Sequence, residues 1–382
     1  MKTLSDIDFK GKRVLLRTDI NSDVLNGKVL MSERIKEASI TIKELLKKKA
    51  KVVVLAHQGT PQKEDFLDLS QHSKLLNKFV KVKFVKDVVG EIAIDEINKI
   101  KPGEAILLDN VRFVVDEFHP ENPENVLIKV LVPCFDYYIN DAFSVSHREQ
   151  TSIISFPKYL KSCAGRTLEK EVKALEKVSI KSCLYILGGA KPNDNIKLLR
   201  GKKVLACGLF GQLCVIAKGK NLGYQNEYLK KESVLSEDIL EKLKGKLNNV
   251  ETPVDFAVNK DGKRIEYTID EFPIDYRIDD IGEKTIKKYT ELIKRAPAIY
   301  MKGPAGFTDD KKFSIGTEAL LKAVANCKGF TLIGGGHLSD TIERLKINKK
   351  KYSHISLSGG ALLSYVAGEK LPGLEALGIK RG

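Results

Sequence analysis

The chain has 382 residues, 42% of them hydrophobic, and is therefore long enough to fold as two domains with separate cores. Its formal charge of +15 suits nucleic acid, an anionic membrane surface or phosphorylated metabolites, and it equally suits a solvated, lysine-rich surface. The lack of Trp argues against a large platform for stacking bases, and no apolar run reaches the roughly 18 residues that span a membrane.

In the first half of the chain, short apolar runs alternate with a helical pattern. The predicted strands are residues 12–18, 51–56, 105–109 and 137–140. Residues 32–49 are predicted to form a helix, because their apolar side chains recur with helical periodicity. These side chains are Ile35, Ile40, Ile42, Leu45 and Leu46. The alternation favours a mostly parallel sheet with helices on both faces.

The second half repeats this architecture without a detectable sequence repeat. Its predicted strands are residues 184–187, 203–206, 298–301, 330–333 and 354–356. Residues 259–262 predict a hairpin turn. Residues 165–178 predict one helix joining the halves, since Leu168, Val172, Leu175 and Val178 recur at helical spacing. The expected fold is therefore α/β, with two Rossmann-like lobes that have parallel-sheet cores and meet near residue 165.

The six cysteines indicate a reduced protein. None forms a CxxC pair, which argues against a zinc knuckle or a dithiol redox site. Most lie beside apolar residues and are expected to be buried thiols in a reducing compartment. Because residues 1–5 contain no apolar signal core, we expect a cytoplasmic protein. The cysteines are Cys134, Cys163, Cys183, Cys207, Cys214 and Cys327.

Charged and hydrogen-bonding residues follow the predicted strands of the first half. Ligands of open α/β sheets bind at the carboxyl ends of the strands, so these residues should converge on one rim. Arginine suits an anion there, because its planar guanidinium group can hydrogen-bond two phosphate or carboxylate oxygens. The sequence therefore predicts a pocket for a small anion. The candidates are Arg17, Asp19, Asn21, Arg34, His57, Gln58, Gly59, Thr60, Asp109, Asn110, Arg112, Asn140, Asp141, His147 and Arg148.

Glycine-rich segments follow the predicted strands of the second half. They are residues 188–191, 208–211, 303–306, 334–337 and 358–361. Glycine lets the backbone approach a phosphate closely, and helix N-termini offer free N–H groups. One such loop is weak support, because glycine often just ends a strand, but five in one lobe point to a nucleotide. Lys191 follows a glycine-rich turn and is well placed to clamp a phosphate.

Common phosphate-binding signatures are missing from the sequence. There is no GxxxxGK[ST] and no GxGxxG, which excludes a P-loop enzyme, a protein kinase and a standard dinucleotide enzyme. One lobe for a small anion and another for a nucleotide indicate transfer of a phosphoryl group across a cleft.

In order and spacing, these segments resemble the 3-phosphoglycerate kinase family along essentially the whole chain. The similar motifs are GKRVLLRTDIN (11–21), SERI (32–35), LLDNVRF (107–113), NDAFSVSHR (140–148), LGGAK (187–191), GPAG (303–306), GGG (334–336) and LPG (371–373). The segments 57–59 and 164–166 resemble the archaeal branch more than the bacterial or eukaryotic ones.

The resemblance implies reversible phosphoryl transfer between 1,3-bisphosphoglycerate and ADP, with Mg²⁺, in glycolysis and gluconeogenesis. Residues 1–164 would form the phosphoglycerate-binding lobe and residues 165–366 the nucleotide-binding lobe. The lobes would close like a hinge, and the tail, residues 367–382, would dock back on the first lobe.

The resemblance also implies site residues. Arg34 and Lys191 would be catalytic, and Asp340 would be a metal ligand. Phosphoglycerate would bind to Asp19, Asn21, Arg34, His57, Thr60, Arg112 and Arg148. The nucleotide would bind to Gly189, Ala190, Lys191, Gly208, Gly211, Lys302, Pro304, Asp309, Gly334, Gly335, Gly336 and His337.

Some positions depart from the family pattern in charge. Thr60 stands where most members have an Arg that contacts the substrate phosphate, and Asn195 stands where many have a second Lys. The Asn that usually precedes Gly303 is Lys302, an exchange that would move the missing positive charge rather than delete it.

Other departures concern the nucleotide and the metal. Asp309 replaces a Glu that contacts the ribose, and residues 357–358 are Leu-Ser in place of Thr-Gly. The Asp that usually follows the triple glycine is His337, and imidazole is a poor ligand for Mg²⁺. Asp340, one helical turn further on, is a possible substitute.

Three functions stay open on the sequence alone. The first is a phosphoglycerate kinase of archaeal type, acting on 3-phosphoglycerate or 1,3-bisphosphoglycerate with ATP or ADP. The second is a divergent paralogue that phosphorylates another small acid, and the third is a weakly catalytic regulator that binds nucleotide or RNA. The retained transfer residues, such as Arg34 and Lys191, argue against the third. We expect no membrane or nucleic-acid partner, and a monomer or a homodimer.

Overall fold

The computed structural model describes residues 1–178, 182–199 and 201–380, except for the side chains at positions 336 and 337. It divides into two compact units. Unit 1 comprises residues 1–173 and 369–382, and unit 2 comprises residues 174–368. The division falls inside the helix Arg166–Val178, whereas the boundary expected near residue 165 lies at the start of that helix.

Unit 1 is built on a parallel β-sheet. Its strands are β1 (Arg13–Thr18), β2 (Val24–Leu25), β3 (Lys28–Val29), β4 (Lys51–Leu55), β5 (Lys83–Phe84), β6 (Ala105–Leu107), β7 (Tyr137–Asp141) and β8 (Lys161–Ala164). Its helices are α1 (Glu33–Lys47), α2 (Ser70–Leu76), α3 (Glu91–Lys99), α4 (Val126–Leu131), α5 (Thr151–Ile154) and the start of α6 (Arg166–Val178). The sheet has the order β5-β6-β4-β1-β7-β8, with every pair parallel, and β2 and β3 form a separate hairpin.

The sheet of unit 1 is covered on both faces. Leu16 and Val54 belong to one buried cluster, while Leu15 and Val53 belong to another. Successive residues of a strand point to opposite faces, so each strand contributes to both clusters. This explains why the strands read as continuous apolar runs rather than as alternating patterns.

Helix α1 packs one side on this core, with one correction to the predicted pattern. Ile35, Ile42 and Leu45 are buried as expected. Ile40 is 49% exposed, although it was assigned to the same apolar face. Ile40 lies five positions after Ile35, a step that rotates its side chain by about 140° away from that face. Ala38 and Ser39 occupy the buried positions between them.

Unit 2 repeats the parallel arrangement. Its strands are β9 (Leu184–Leu187), β10 (Lys203–Ala206), β11 (Val250–Glu251), β12 (Asp255–Lys260), β13 (Lys263–Thr268), β14 (Arg277–Ile281), β15 (Ala298–Lys302), β16 (Phe330–Gly334) and β17 (His354–Ser356). Its helices are α7 (Pro192–Ile196), α8 (Gly208–Ala217), α9 (Tyr224–Lys231), α10 (Glu237–Leu243), α11 (Glu283–Lys294), α12 (Ile315–Ala325), α13 (Gly336–Arg344) and α14 (Gly360–Val366). The parallel sheet has the order β11-β10-β9-β15-β16-β17, so two α/β units with parallel-sheet cores are confirmed.

A small antiparallel sheet of order β13-β12-β14 accompanies the main sheet of unit 2. Strands β12 and β13 are joined by Asp261 and Gly262, whose φ angles of 51° and 74° are those of a type I′ turn. The Gly262 N–H also donates to Asn259 Oδ1 at 3.0 Å. The hairpin predicted at residues 259–262 is thus confirmed.

Both parallel sheets contain a topological switch point. In unit 1, β1 pairs with β4 on one side and with β7 on the other. In unit 2, β9 pairs with β10 on one side and with β15 on the other. Connections leave such a point in opposite directions and open a crevice at the carboxyl ends of the strands, where ligands of this fold class bind.

The C-terminal segment belongs to unit 1. Helix α15 (Pro372–Glu375) lies against α5. The Gly373 N–H donates to the carbonyl oxygen of Ser146 at 2.9 Å. A Cβ at position 373 would lie 2.8 Å from Ile153 Cγ2, so the close approach requires glycine.

Asp141, at the end of β7, caps the first turn of α6. Its Oδ1 accepts from the N–H groups of Thr167 at 2.7 Å and Leu168 at 3.1 Å. A Cβ at Gly165 would lie 2.3 Å from the same oxygen, so the chain passes directly over the carboxyl group. Burial raises the pKa of Asp141 to about 7, against the lowering effect of its hydrogen-bond donors.

We predict that Asp141 makes stability depend on pH. Its folded pKa lies above its unfolded value, so the native state binds the extra proton between about pH 4 and 7. As the pH rises through this window, the free energy of unfolding of the wild type should therefore fall relative to that of Asp141→Asn, by on the order of 4 kcal/mol. Urea denaturation at several pH values measures the difference. The exposed carboxylate variant Asp95→Asn is the control, and a pH-independent difference for Asp141→Asn would contradict the prediction.

Candidate functional site

Basic side chains meet at the carboxyl edge of the unit 1 sheet. Burial, followed by the positive charges of nearby arginines, lowers the pKa of His57 well below its ordinary value, so the imidazole is neutral. Such a concentration of positive charge suits a small anion. The arginines, in decreasing order of their effect on His57, are Arg17, Arg112, Arg148 and Arg34. The structure thus brings together the basic residues that follow different strands in the sequence.

Arg112 is the cluster residue whose hydrogen-bonding groups best suit an anion. Its Nη1 donates to the carbonyl oxygen of Gly59, but its Nε and Nη2 are buried and have no hydrogen-bond partner among the described residues. Burial, and then the charges of Arg17 and Arg148, lower the pKa of Arg112 to about 10, which leaves it charged at neutral pH. Buried donors of a cation are costly when unpaired, so an anion that accepts from them would bind favourably.

Asp19 and Asn21 hold the loops around this cluster. Arg34 Nε lies 3.3 Å from Asp19 Oδ2, and its Nη1 donates to the Asn21 carbonyl oxygen at 3.1 Å. The Asn21 side chain accepts from the Gly59 N–H at 2.8 Å. Ser144 donates its hydroxyl to Asp19. The loops that follow β1, β4 and β7 are therefore tied together around the arginines.

Under the cluster lies a buried layer in which Glu117 and Ser152, which the sequence analysis did not single out, join Arg17 and His57. Arg17, which is fully buried, donates from Nε to Ser152 Oγ at 2.8 Å, and its Nη2 lies 3.2 Å from His57 Nδ1. Ser152 in turn contacts Glu117, which is also fully buried. Burial raises the pKa of Glu117, opposed by the charge of Arg17. A Glu in a polar segment gives no sequence signal of burial.

No hydrogen bond from the Thr60 side chain to the cluster is present among the described residues. The residue is exposed, and its N–H donates to Asp65 Oδ1 at 3.3 Å. Lys63, a nearby cation, is exposed as well. Arg148 is exposed, yet it lies near enough to lower the pKa values of both His57 and Arg112. The predicted residues therefore form a buried core and a solvent-facing rim.

The glycine loops of unit 2 interlock with one another. The Gly188 N–H donates to the Lys302 carbonyl oxygen at 2.7 Å, and the Gly189 N–H donates to that of Pro304 at 3.0 Å. A Cβ at Gly188 would lie 2.2 Å from Pro304 O, and one at Gly303 would lie 2.4 Å from Gly188 O. These glycines were interpreted as room for a phosphate. The structure gives a more direct reason, since the loops could not pack against each other with side chains.

Other glycines do leave open backbone. Nothing lies within 4 Å of a Cβ built at Gly335 or Gly359. Gly335 has a φ of +100°, which disfavours any side chain. Four helices begin in the glycine-rich segments of unit 2. Helix α8 begins at Gly208, α13 at Gly336 and α14 at Gly360, and α7 begins directly after Lys191. The N-terminal N–H groups of a helix are suited to bind a phosphate as a ligand.

Two departures from the family pattern contact each other. Lys302 Nζ lies 3.2 Å from Asn195 Oδ1 and 3.5 Å from Asp194 Oδ2. Asn195 is fully buried and donates to the Gly188 carbonyl oxygen at 3.0 Å. Burial lowers the pKa of Lys302, Asp194 opposes this, and Lys191 adds to it. The ammonium group of Lys302 thus stands beside the position of the missing lysine, at the unit 2 switch point.

Several predicted residues are solvent-facing. Lys191, Asp309 and Asp340 are exposed, and the side chain of His337 lies outside the described part of the chain. Within the described residues, no group of three His, Cys, Asp or Glu side chains could hold a metal ion. Nor is any helix in those ranges both long and apolar enough to cross a bilayer.

A family model described as phosphoglycerate kinase matches residues 4–369. The chain belongs to the phosphoglycerate kinase family. A phosphoglycerate kinase of Sulfurisphaera tokodaii is 41% identical, and the alignment covers 98% of this chain and 95% of that protein. Another, of Methanothermus fervidus, is also 41% identical, with 98% and 96% covered. These curated relatives are archaeal, the branch that segments 57–59 and 164–166 resemble.

Solved structures of the family have the same fold. The crystal structure of phosphoglycerate kinase from Pyrococcus horikoshii OT3 matches with a TM-score of 0.88 at 35% identity, covering 99% of both chains. The phosphoglycerate kinase of Coxiella burnetii matches with a TM-score of 0.84 at 30% identity, covering 99% of this chain and 98% of that one. The family and the two-domain α/β fold expected from the sequence are therefore confirmed.

We predict that Gly188→Ala destabilises the protein far more than Gly359→Ala. Neither glycine has a positive φ, so the comparison isolates the available space. The new methyl group at 188 would overlap Pro304 O and force the loops apart, at a cost of about 1–3 kcal/mol or more, whereas the site at 359 is open. Urea denaturation of both variants measures the difference. Equal destabilisation would show that the interlocked packing does not constrain position 188.

Proposed function

We propose that this protein is a phosphoglycerate kinase that catalyses reversible, Mg²⁺-dependent phosphoryl transfer between 1,3-bisphosphoglycerate and ADP in glycolysis and gluconeogenesis. Membership of the family and relatives of that name over nearly the whole chain support the assignment. The observation that carries it is Arg112, which lies inside a cluster of cations and has two buried donors without a partner in the described part of the chain. The comparisons do not favour a kinase for another acid or a nucleotide- or RNA-binding regulator.

In this proposal, the cluster of unit 1 holds the phosphoglycerate. Arg112 and Arg148 supply positive charge that no carboxylate of the described residues neutralises by an ion pair, and His57 supplies a neutral donor. Arg34, held by Asp19 and the backbone of Asn21, stabilises charge on the transferring phosphoryl group. The residues proposed to bind 3-phosphoglycerate are Asp19, Asn21, Arg34, His57, Thr60, Arg112 and Arg148.

The loops of unit 2 hold the nucleotide. Open backbone and helix N-termini suit its phosphates, and Lys191 and Lys302 supply positive charge. The nucleotide residues are Gly189, Ala190, Lys191, Gly208, Gly211, Lys302, Pro304, Asp309, Gly334, Gly335, Gly336 and His337. A carboxylate oxygen of 3-phosphoglycerate attacks the γ-phosphorus of ATP while the bond to the leaving ADP oxygen breaks. Positioning and charge neutralisation provide most of the catalysis in such reactions.

Magnesium fits this site through a single protein carboxylate. Mg²⁺ usually keeps several waters and is held by one or two carboxylates together with the substrate phosphates, so a dedicated cage is not required. Asp340 is an exposed carboxylate on α13, which begins at the Gly335–Gly336 turn. Asp340 would be the ligand, and the ion would neutralise charge on the nucleotide phosphates.

A coupled assay of ATP-dependent phosphorylation of 3-phosphoglycerate tests the function. We expect turnover by the wild type with Mg²⁺. In Arg34→Ala, kcat should fall on the order of a thousandfold, because charge on the transferring group loses its stabilising cation. Arg344→Ala, which changes an arginine at the end of α13, is the control and should stay active. A folded wild type that binds ATP but does not phosphorylate 3-phosphoglycerate would overturn the proposal.

We further predict that the ammonium group of Lys302 takes over the role of the lysine that many family members have at position 195. Lys302→Asn removes the ammonium group and should lower kcat/KM for MgATP about tenfold to a hundredfold, as expected for a charged hydrogen bond. The double variant Asn195→Lys with Lys302→Asn returns the charge to the neighbouring position and should recover most of that loss. Steady-state kinetics of both single variants and the double variant measure the coupling. A double variant no better than Lys302→Asn would refute the exchange.

A further inference from the structure

A continuous hydrogen-bonded chain runs under the anion cluster of unit 1. Glu117 accepts at Oε2 from the Ser152 N–H at 2.8 Å and at Oε1 from the Ser152 hydroxyl at 2.7 Å. Ser152 Oγ accepts from Arg17 Nε at 2.8 Å, and Arg17 Nη2 lies 3.2 Å from His57 Nδ1. Glu117, Ser152 and Arg17 are all fully buried, and His57 is 4% exposed. The chain therefore leads from a buried carboxylate to the imidazole of the cluster.

The direction of each hydrogen bond in this chain is determined by chemistry. A guanidinium group carries only donors. Arg17 must therefore donate to both Ser152 Oγ and His57 Nδ1. Ser152 has a single hydroxyl hydrogen, which goes to Glu117. Since His57 Nδ1 is an acceptor, a neutral His57 must carry its proton on Nε2.

The surroundings of His57 disfavour a second proton on the ring. Burial is the main cause, and the charges that face the imidazole are those of Arg17, Arg112, Arg148 and Arg34. The carboxylates nearby are already engaged. Asp19 pairs with Arg34 and accepts from Ser144, while Glu117 lies behind Ser152 and Arg17. No group among the described residues hydrogen-bonds to Nε2, so its N–H is available to a ligand.

We propose that the Glu117–Ser152–Arg17 chain is a positioning device that fixes His57 as the Nε2–H tautomer and aims this donor at an oxygen of the acceptor anion. The identity of that anion, 3-phosphoglycerate, rests on the proposed function, whereas the tautomer is a property of the protein alone. Ser152 and Glu117 act through Arg17 and His57. They do not touch the reacting atoms.

Nitrogen NMR of protein with ¹⁵N-labelled histidine tests the tautomer directly. The His57 signals are assigned by their loss in His57→Gln. We expect the Nε2–H form throughout the range from about pH 5 to 8, where an ordinary histidine titrates. A Nδ1–H form, or protonation of His57 within this range, overturns the proposal.

Ser152→Ala breaks the chain at its middle. We expect a mixture of His57 tautomers and a KM for 3-phosphoglycerate raised about tenfold, with the KM for ATP unchanged. Ser152→Thr keeps the hydroxyl and should restore both properties. Ser155→Ala is the matched control, because Ser155 is a neighbouring buried serine whose hydroxyl has no hydrogen-bond partner in the described structure. An unchanged tautomer in folded Ser152→Ala, or an equal rise in both KM values, overturns the positioning role.

Failure of the proposed function and failure of the positioning role give different results. A wild type without turnover on 3-phosphoglycerate rejects the proposed function, while the NMR measurement still decides the tautomer. If Ser152→Ala does not fold, Glu117→Gln provides the test, since it keeps the shape but replaces one of the two carboxylate acceptors by an amide NH2, which can no longer accept from the Ser152 hydroxyl. We expect the same shift in the His57 tautomer and in the KM for 3-phosphoglycerate, and the absence of both counts against the proposal.

Discussion

The burial of guanidinium groups around one small space is the constraint on which unit 1 depends. Removing a cation from water is costly unless charge and hydrogen bonds replace the lost solvation. Glu117 compensates Arg17 through Ser152, and Asp19 compensates Arg34 directly. Arg112 keeps two donors that have no hydrogen-bond partner within the described ranges. The described residues thus compensate Arg17 and Arg34 internally and leave the charges of Arg112 and Arg148 for an anion.

This constraint also explains why the site lies at the switch point of the sheet. Loops that follow the strands on both sides of β1 reach the same crevice. Cations that are far apart in sequence can therefore meet there while each loop stays at the end of its own strand. Unit 2 has a switch point as well, but glycine turns rather than arginines meet there. There, interlocked glycine turns at β9 and β15 bring Lys302 beside Asn195, and open glycine backbone lies at neighbouring strand ends.

Much of the fold could be predicted from the sequence. The strands at 184–187, 203–206 and 354–356 have the predicted bounds, and the type I′ hairpin follows from Asp261-Gly262. Short elements such as β5 and β8 were missed because runs of two to four residues carry little periodic signal. The face of α1 was predicted with one error at Ile40, since an apolar residue type does not by itself state its angle around the helix.

The motifs of the sequence were sufficient to recognise the family by resemblance. The residues at the strand ends were sufficient to predict a cluster of basic side chains, because parallel sheets collect loop residues at one edge. Local sequence could not reveal Glu117 and Ser152 as partners of Arg17, since these contacts join residues more than a hundred positions apart in one case and depend on burial. Nor could local sequence distinguish glycines that leave space for a ligand from glycines that leave space for a neighbouring loop. Only tertiary packing decides this, because the same missing side chain serves both purposes until the neighbouring backbone is in place.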